Sequence, residues 1–220
     1  MRVLLFGATG MVGQGVLREC LLDPAVTQVT ALGRSATGRQ DSKLREIVQK
    51  DLLDYSAIEN KLAGFDACFF CLGVSSAGMS AERYRHITYD ITLAAGQMFA
   101  RLNAGKTFVY VSGMGADSTE RGRSGWARVK GATENALFQM PLSAVIFRPG
   151  GIVPIHGIRS KTAWYRAFYA ILGPALKMLA KVAPRYVTTT ENVGRAMIRA
   201  AKEGAPKQLM ENGDIDTFGR

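Results

Sequence analysis

The chain has 220 residues, 47% of them hydrophobic, and carries 28 lysines and arginines against 18 aspartates and glutamates, for a net charge of +10. That length and apolar content support one buried core, and three cysteines are too few for a disulfide framework. No run of roughly 18 apolar residues suggests a membrane span, and a first strand starting at residue 1 leaves no room for a secretory leader, so the expected compartment is the cytoplasm.

Met1 to Phe6 is apolar except for Arg2, the pattern of an inner parallel strand. Gly7, Gly10 and Gly13 follow with the spacing G-x-x-G-x-x-G, and Val16, Leu17, Cys20 and Leu21 then recur at helical spacing. Each glycine has a distinct expected task. Gly7 turns the chain off the strand, Gly10 removes a side chain where a pyrophosphate must approach backbone N–H groups, and Gly13 lets the helix pack on the strand. The N–H groups and the positive end of the helix dipole would hold the anion.

Asp23-Pro24 ends that helix, and Gln28 to Leu32 reads as a second strand ending at Gly33-Arg34-Ser35. In a dinucleotide fold this tip meets the adenosine ribose, where an acid would accept from the 2′-OH. The tip here carries Arg34, with Arg39 and Lys43 close behind, which favours NADP(H) over NAD(H). Glu46 to Lys50 is a short strand, Ser56 to Leu62 a helix, and Phe65 to Leu72 a strongly apolar strand. A long helix covers Ser80 to Asn103 with Ser80 as its N-cap. Thr107 to Ser112 is a strand, Gly125 to Phe138 a helix and Ser143 to Phe147 a strand, before Arg148-Pro149-Gly150-Gly151 interrupts the pattern. This alternation predicts an α/β fold, a doubly wound parallel sheet of Rossmann-like type, forming a single domain over residues 1–220.

Beyond Gly151 the alternation stops. Residues 158–183 read as one or two helices broken at Gly173-Pro174, rich in aromatics (Trp164, Tyr165, Phe168, Tyr169) and in basic residues. A small helical lobe spanning 152–190 and covering the cleft is the favoured reading. Peripheral membrane contact through 158–185 is the alternative, because basic and aromatic residues interleave there. Glu191 to Lys202 is a last amphipathic helix, with Thr190 as its cap, and the tail after Gln208 is too short to interpret.

No acidic residue lies between Glu134 and Glu191, whereas Arg148, Arg159, Lys161, Arg166, Lys177, Lys181 and Arg185 all do. Such a basic segment serves an anionic cofactor, an acidic substrate or a membrane surface equally well. A nucleic-acid partner is not expected, since no helix-turn-helix or stacking motif accompanies the charge. Cys68 and Cys71 form a C-x-x-C, but residues three apart in a strand point to opposite faces, so they read as core residues and not as a redox or metal pair. No metal site is expected around His86 and His156, the two histidines.

Five segments carry a family resemblance: Gly-Ala-Thr-Gly-Met-Val-Gly at 7–13, Leu-Gly-Arg at 32–34, Tyr-Val-Ser-Gly-Met-Gly-Ala at 110–116, and Val-Lys-Gly-Ala-Thr-Glu at 129–134 followed by Phe-Arg-Pro-Gly at 147–150. In this order they resemble the atypical and extended short-chain dehydrogenase/reductase superfamily, near the Tat-interacting-protein and NmrA-like families, from Val3 to about Ile152. The resemblance implies that Gly7, Thr9, Gly10, Met11 and Gly13 lie along the pyrophosphate and Arg34 at the 2′-phosphate. Asp51 and Leu52 would meet the adenine, Leu72 and Gly73 its ribose, Lys130 the nicotinamide ribose, and Pro149, Gly150, Gly151 and Ile152 the carboxamide. Ser112 stands where the family places its catalytic serine, and Lys130 where it places its catalytic lysine.

The chain departs from the family at one position. The family's Tyr-x-x-x-Lys supplies the proton, but four residues before Lys130 stands Trp126, whose indole N–H donates a hydrogen bond and is no acid or base near neutral pH. Two readings follow. In one, the chain is an NADPH-dependent oxidoreductase whose proton comes from another group, Tyr84, Tyr89, Ser112, His156 or Tyr165; in the other, it is a non-catalytic NADP(H)-binding protein that uses the dinucleotide as a structural or sensory ligand.

Overall fold

The computed structural model describes residues 1–158 and 183–220. Its strands are β1 (Arg2–Phe6), β2 (Gln28–Gly33), β3 (Leu44–Val48), β4 (Ala67–Phe70), β5 (Thr107–Val111), β6 (Ser143–Arg148), β7 (Gly151–Val153), β8 (Val187–Thr189) and β9 (Leu209–Glu211). Its α-helices among the described residues are α1 (Met11–Leu22), α2 (Ala81–Arg85), α3 (Ile91–Leu102), α4 (Gly125–Phe138), α5 (Thr190–Glu203) and α6 (Asn212–Phe218). Seven strands form one parallel sheet in the order β3-β2-β1-β4-β5-β6-β9, and β7 pairs with β8 in a small second sheet.

Alternation along the inner strands builds two cores. Val3 and Leu5 of β1 face one side, where they pack with Val16, Leu17 and Cys20 of α1 and with Val193, Ala196 and Met197 of α5. Leu4 and Phe6 face the other, against Ala95, Met98 and Phe99 of α3 and Leu137 of α4. Because both faces of β1 and β4 are covered, these strands need continuous apolar sequence, which is the signal they carry. Cys68 belongs to the second core and Cys71 packs against the first, so the C-x-x-C straddles the sheet as its spacing predicts.

Several boundaries differ from expectation. The third strand is Leu44–Val48 in place of 46–50, and residues Ser56–Lys61 form a 3₁₀ helix. Ser80 caps its helix as predicted, its hydroxyl accepting from the Arg83 N–H, but the 81–102 helix carries a π-helical turn at His86–Asp90. The α5 cap is Thr189, not Thr190: its side chain accepts from the Asn192 N–H at 3.1 Å. Alternation does not stop at Gly151, because β8, α5, β9 and α6 follow and β9 completes the main sheet beside β6. Of the expected lobe at 152–190, the flanks make β7 and β8; the aromatic and basic stretch 159–182, with Tyr165 and most of the proposed membrane-contact segment, lies outside the described residues. Among the described residues no helix is long and apolar enough to cross a membrane.

Candidate functional site

The carboxyl ends of β1, β2, β4, β5 and β6 point to one edge of the sheet, and the loops leaving them gather the sequence-predicted residues. Gly7 leaves β1 at φ +77, a conformation that side chains disfavour, and a Cβ there would lie 2.6 Å from the Cys71 carbonyl carbon. A Cβ on Gly13 would come within 2.0 Å of the Gly7 oxygen, so glycine is what allows α1 to start directly against the strand. Gly10 differs from both. Its backbone is extended (φ −79, ψ 165), and an added Cβ would meet only the Gly7 oxygen, at 3.3 Å.

Gly10 is also the N-cap of α1, and no side chain caps this helix or places a carboxylate in its first turn. The opening N–H groups are therefore free of the usual competitor for an anion. This bend fits the diphosphate of a dinucleotide: glycine clears its approach at Gly10, and the helix terminus faces it without a built-in acid.

The other predicted residues line the same edge. Arg34 is exposed immediately after β2. Leu52 is buried, while Asp51 is exposed with its carboxylate accepting from the Leu53 N–H at 2.9 Å. Leu72 and Gly73 follow β4, and the Leu72 N–H nitrogen lies 2.7 Å from the Cβ position of Gly7. Lys43, expected near Arg34, is engaged elsewhere: its ammonium donates to the carbonyls of Leu21 and Asp23 and finishes α1. A cavity of about 310 Å³ opens beside the bend, with Thr9, Gln14, Arg18, Thr37, Arg39 and His156 in its wall and no carboxylate among its described lining residues.

At the β5–β6 half of the edge a buried ionic group dominates. Ser112 Oγ donates to Glu134 Oε1 at 2.5 Å, Arg148 Nε donates to the same carboxylate at 3.1 and 3.2 Å, and Arg148 Nη2 forms a further bond to Glu134 and one to Ser118. Glu134 is fully buried, and Arg148 is 11% exposed. Arg148 therefore does not belong to the basic surface segment in which its sequence position places it. The one proton of the Ser112 hydroxyl is directed to Glu134, so toward any other partner its oxygen acts as an acceptor.

Lys130, one helical turn before Glu134, lies with its Nζ 5.7 Å from the centre of the Tyr110 ring and its Cε 3.6 Å from the Cβ position of Gly113. Burial pushes its ammonium down to about 8, against an opposing pull from Glu134. Trp126 is 37% exposed at the mouth of this region, its ring 3.4 Å from the Cβ position of Gly115.

Pro149 is buried, and its carbonyl accepts from the Met114 N–H at 2.9 Å. Gly150 donates to Asn212 Oδ1, whose amide donates in turn to the Pro184 carbonyl, while Gly151 and Ile152 pair in β7.

The proton-donor candidates are scattered. Tyr84 is buried with its hydroxyl on Thr88, and burial raises its pKa. Tyr89 lies under the Arg85 guanidinium, 4.2 Å away. His156 bonds Glu191 at 2.6 Å and lines the cavity beside the glycine bend. Sequence reasoning missed the Glu134–Arg148 pair and the contribution of Arg18 and Thr37 to the cavity; the only signal for Glu134 was its place one turn beyond Lys130.

A glycine-rich strand-to-helix bend at the carboxyl edge of a seven-stranded parallel sheet defines an NAD(P)-binding Rossmann protein. The profile of the NAD(P)H-binding family matches residues 7–160, and the chain belongs to that family. The FMP52 protein of Emericella nidulans is 28% identical over 206 residues, covering 90% of this chain and 86% of the relative. The HTATIP2 protein of Rattus norvegicus is 24% identical over 225 residues, covering 99% and 89%. Among solved structures, the Bordetella bronchiseptica enzyme WbmF in complex with NAD+ and UDP superposes with a TM-score of 0.70 at 19% identity, over 98% of this chain and 75% of that one.

These relatives overturn the cytoplasmic expectation. The FMP52 proteins of Candida albicans, Emericella nidulans and Chaetomium globosum are named as mitochondrial. The cytoplasmic expectation weighed the secretory and membrane-spanning routes alone, and neither bears on a mitochondrial destination.

Proposed function

We propose that this chain is an NADPH-preferring oxidoreductase of the atypical short-chain dehydrogenase/reductase type. The observation that carries the preference is the charge at this end of the sheet: Arg34 stands at the tip of β2, and the described lining of the adjoining cavity includes Arg18, Arg39, Thr9 and Thr37 and no carboxylate. An arginine at that tip pairs with a 2′-phosphate, whereas an acid would repel it.

In this reading Gly7, Thr9, Gly10, Met11 and Gly13 surround the pyrophosphate, and Asp51, Leu52, Leu72 and Gly73 hold the adenosine. Lys130 reaches the nicotinamide ribose, and the Pro149–Ile152 segment meets the carboxamide. Bound reduced nicotinamide supplies hydride. Ser112, whose hydroxyl donates to Glu134, can accept from the product alcohol or from an ordered water there. The support is positional: all these residues occupy one edge of the sheet. A broad panel of aldehydes, ketones and quinones, followed by loss of NADPH absorbance, tests the activity; turnover of at least one acceptor is expected, and none despite tight NADPH binding would contradict it.

Trp126 favours a second reading, a non-catalytic NADP(H)-binding sensor or assembly protein, since the usual proton donor is gone. Trp126→Tyr separates the two. Activity that appears only in the variant supports the sensor, and activity already present in the native protein rules the sensor out.

A further inference from the structure

We propose that Lys130 is itself the proton donor, the group that delivers a proton to the carbonyl oxygen of the substrate in place of the absent tyrosine. The inference rests on the oxidoreductase reading above and deepens it. Three observations carry it.

First, Lys130 projects from α4 to the carboxyl edge of β5, beside Gly113, where the lack of a Cβ leaves its chain room. It is half-buried, and among the described residues no hydrogen bond or ion pair holds its ammonium; its neighbour is the face of the Tyr110 ring. A partly buried ammonium with no fixed partner is rare in a folded core and common where a reacting group must be met.

Second, the alternatives nearby are engaged. The Ser112 proton is on Glu134, the Tyr84 hydroxyl is on Thr88, and Tyr110 is fully buried with its hydroxyl on Thr133 and its pKa raised by burial. His156 sits on Glu191 beside the glycine bend, at the other half of the edge.

Third, the electrostatics around Lys130 suit an acid that works near neutral pH. The ionisable groups about it are Glu134 on its own helix, Arg148 of β6 bound to Glu134, Tyr110 of β5, and Tyr84 of α2 packed against α4. Arg148 neutralises much of Glu134, so the carboxylate that would otherwise keep the lysine strongly basic is offset, and desolvation prevails. An acid near pH 8 gives up its proton far more readily than an ordinary lysine.

The step balances. Hydride from the reduced nicotinamide dinucleotide forms the new C–H bond at the carbonyl carbon, and the C=O π pair moves onto oxygen. That oxygen takes a proton from Lys130 Nζ as the N–H bond breaks. An alcohol and the oxidised dinucleotide leave, and the neutral amine regains its proton from water.

The test uses the full chain. Competitive labelling of lysine amines with acetic anhydride across pH 6–11, read by mass spectrometry, should show Lys130 half-reactive near pH 8; a midpoint at the ordinary lysine value of about 10.4 overturns the proposal. Lys130→Arg keeps the charge but holds its proton too tightly to donate it. At saturating NADPH it should lose at least about 100-fold in kcat, the lower end of the usual contribution of a positioned acid. Adding Trp126→Tyr to Lys130→Arg should restore at least tenfold. Native-like kcat in Lys130→Arg overturns this proposal alone; absence of turnover in the native protein despite NADPH binding overturns the oxidoreductase reading and this proposal with it.

Discussion

Gly10 and Gly13 lie three residues apart in one bend, yet alanine should act on them in opposite ways. At Gly13 the added methyl would be 2.0 Å from the Gly7 backbone oxygen, far inside contact distance, with the Ala8 Cα at 2.9 Å as a second obstacle. Neither is a side chain that can swing aside. Overpacking of this kind costs about 1–3 kcal/mol, and for a chain of this size each kcal/mol moves Tm by about 2–4 °C, so a fall of about 2–12 °C is expected. At Gly10 the methyl meets the Gly7 oxygen at 3.3 Å and otherwise open space, and φ −79 suits alanine. The folding cost there is that of alanine at an N-cap, at most about 1 kcal/mol. In the proposed function the diphosphate occupies that open space, so Gly10→Ala should weaken NADPH binding at least tenfold, about 1.4 kcal/mol, while melting within about 4 °C of native. Thermal melts with and without nucleotide, together with fluorescence titration, measure both. A Gly10→Ala protein that binds NADPH as tightly as native would refute this account of the bend.

Glu134→Gln should cost about 3 kcal/mol and lower Tm by about 6–12 °C, because Arg148 would keep its buried charge and lose its main partner; a loss below about 1 kcal/mol in chemical denaturation would count against the pair as described. Tyr55→Phe should raise stability by about 1 kcal/mol, since the Tyr55 hydroxyl is buried with no hydrogen-bond partner among the described residues; a drop of similar size in the same melts would show that the hydroxyl is in fact satisfied.

What could be read from sequence, and what could not, follows from the range of the signals. The β1 strand, its glycine bend and α1 were legible because each residue type there answers a local constraint: burial on two faces, positive φ at Gly7, close approach at Gly13. The parallel fold followed from the alternation of elements. By contrast β8 and β9 have three residues each, too few to show a period, and they hold their place through β7 and β6. The π-turn at His86–Asp90 sits inside an uninterrupted helical pattern. At the edge of the sheet, the turn glycines were legible in sequence, but the state of Ser112 depends on Glu134, 22 residues away, and Arg148 is drawn in from the surface by its bonds to Glu134, Ser118 and Glu211. Lys43 shows the same limit from the other side, as its proximity to Arg34 in sequence concealed its bonds to the end of α1.

The central claim is that a glycine bend and a cationic adenosine pocket together bind the phosphorylated dinucleotide. The most direct measurement is a pair of titrations of the native protein with NADPH and with NADH, repeated on Arg34→Ala. The account predicts that NADPH binds native protein at least tenfold more tightly than NADH, and that the variant loses roughly tenfold or more for NADPH alone, as expected when a charge-assisted phosphate contact of about 1.5 kcal/mol or more is removed. Equal affinity of the native protein for the two cofactors would contradict it.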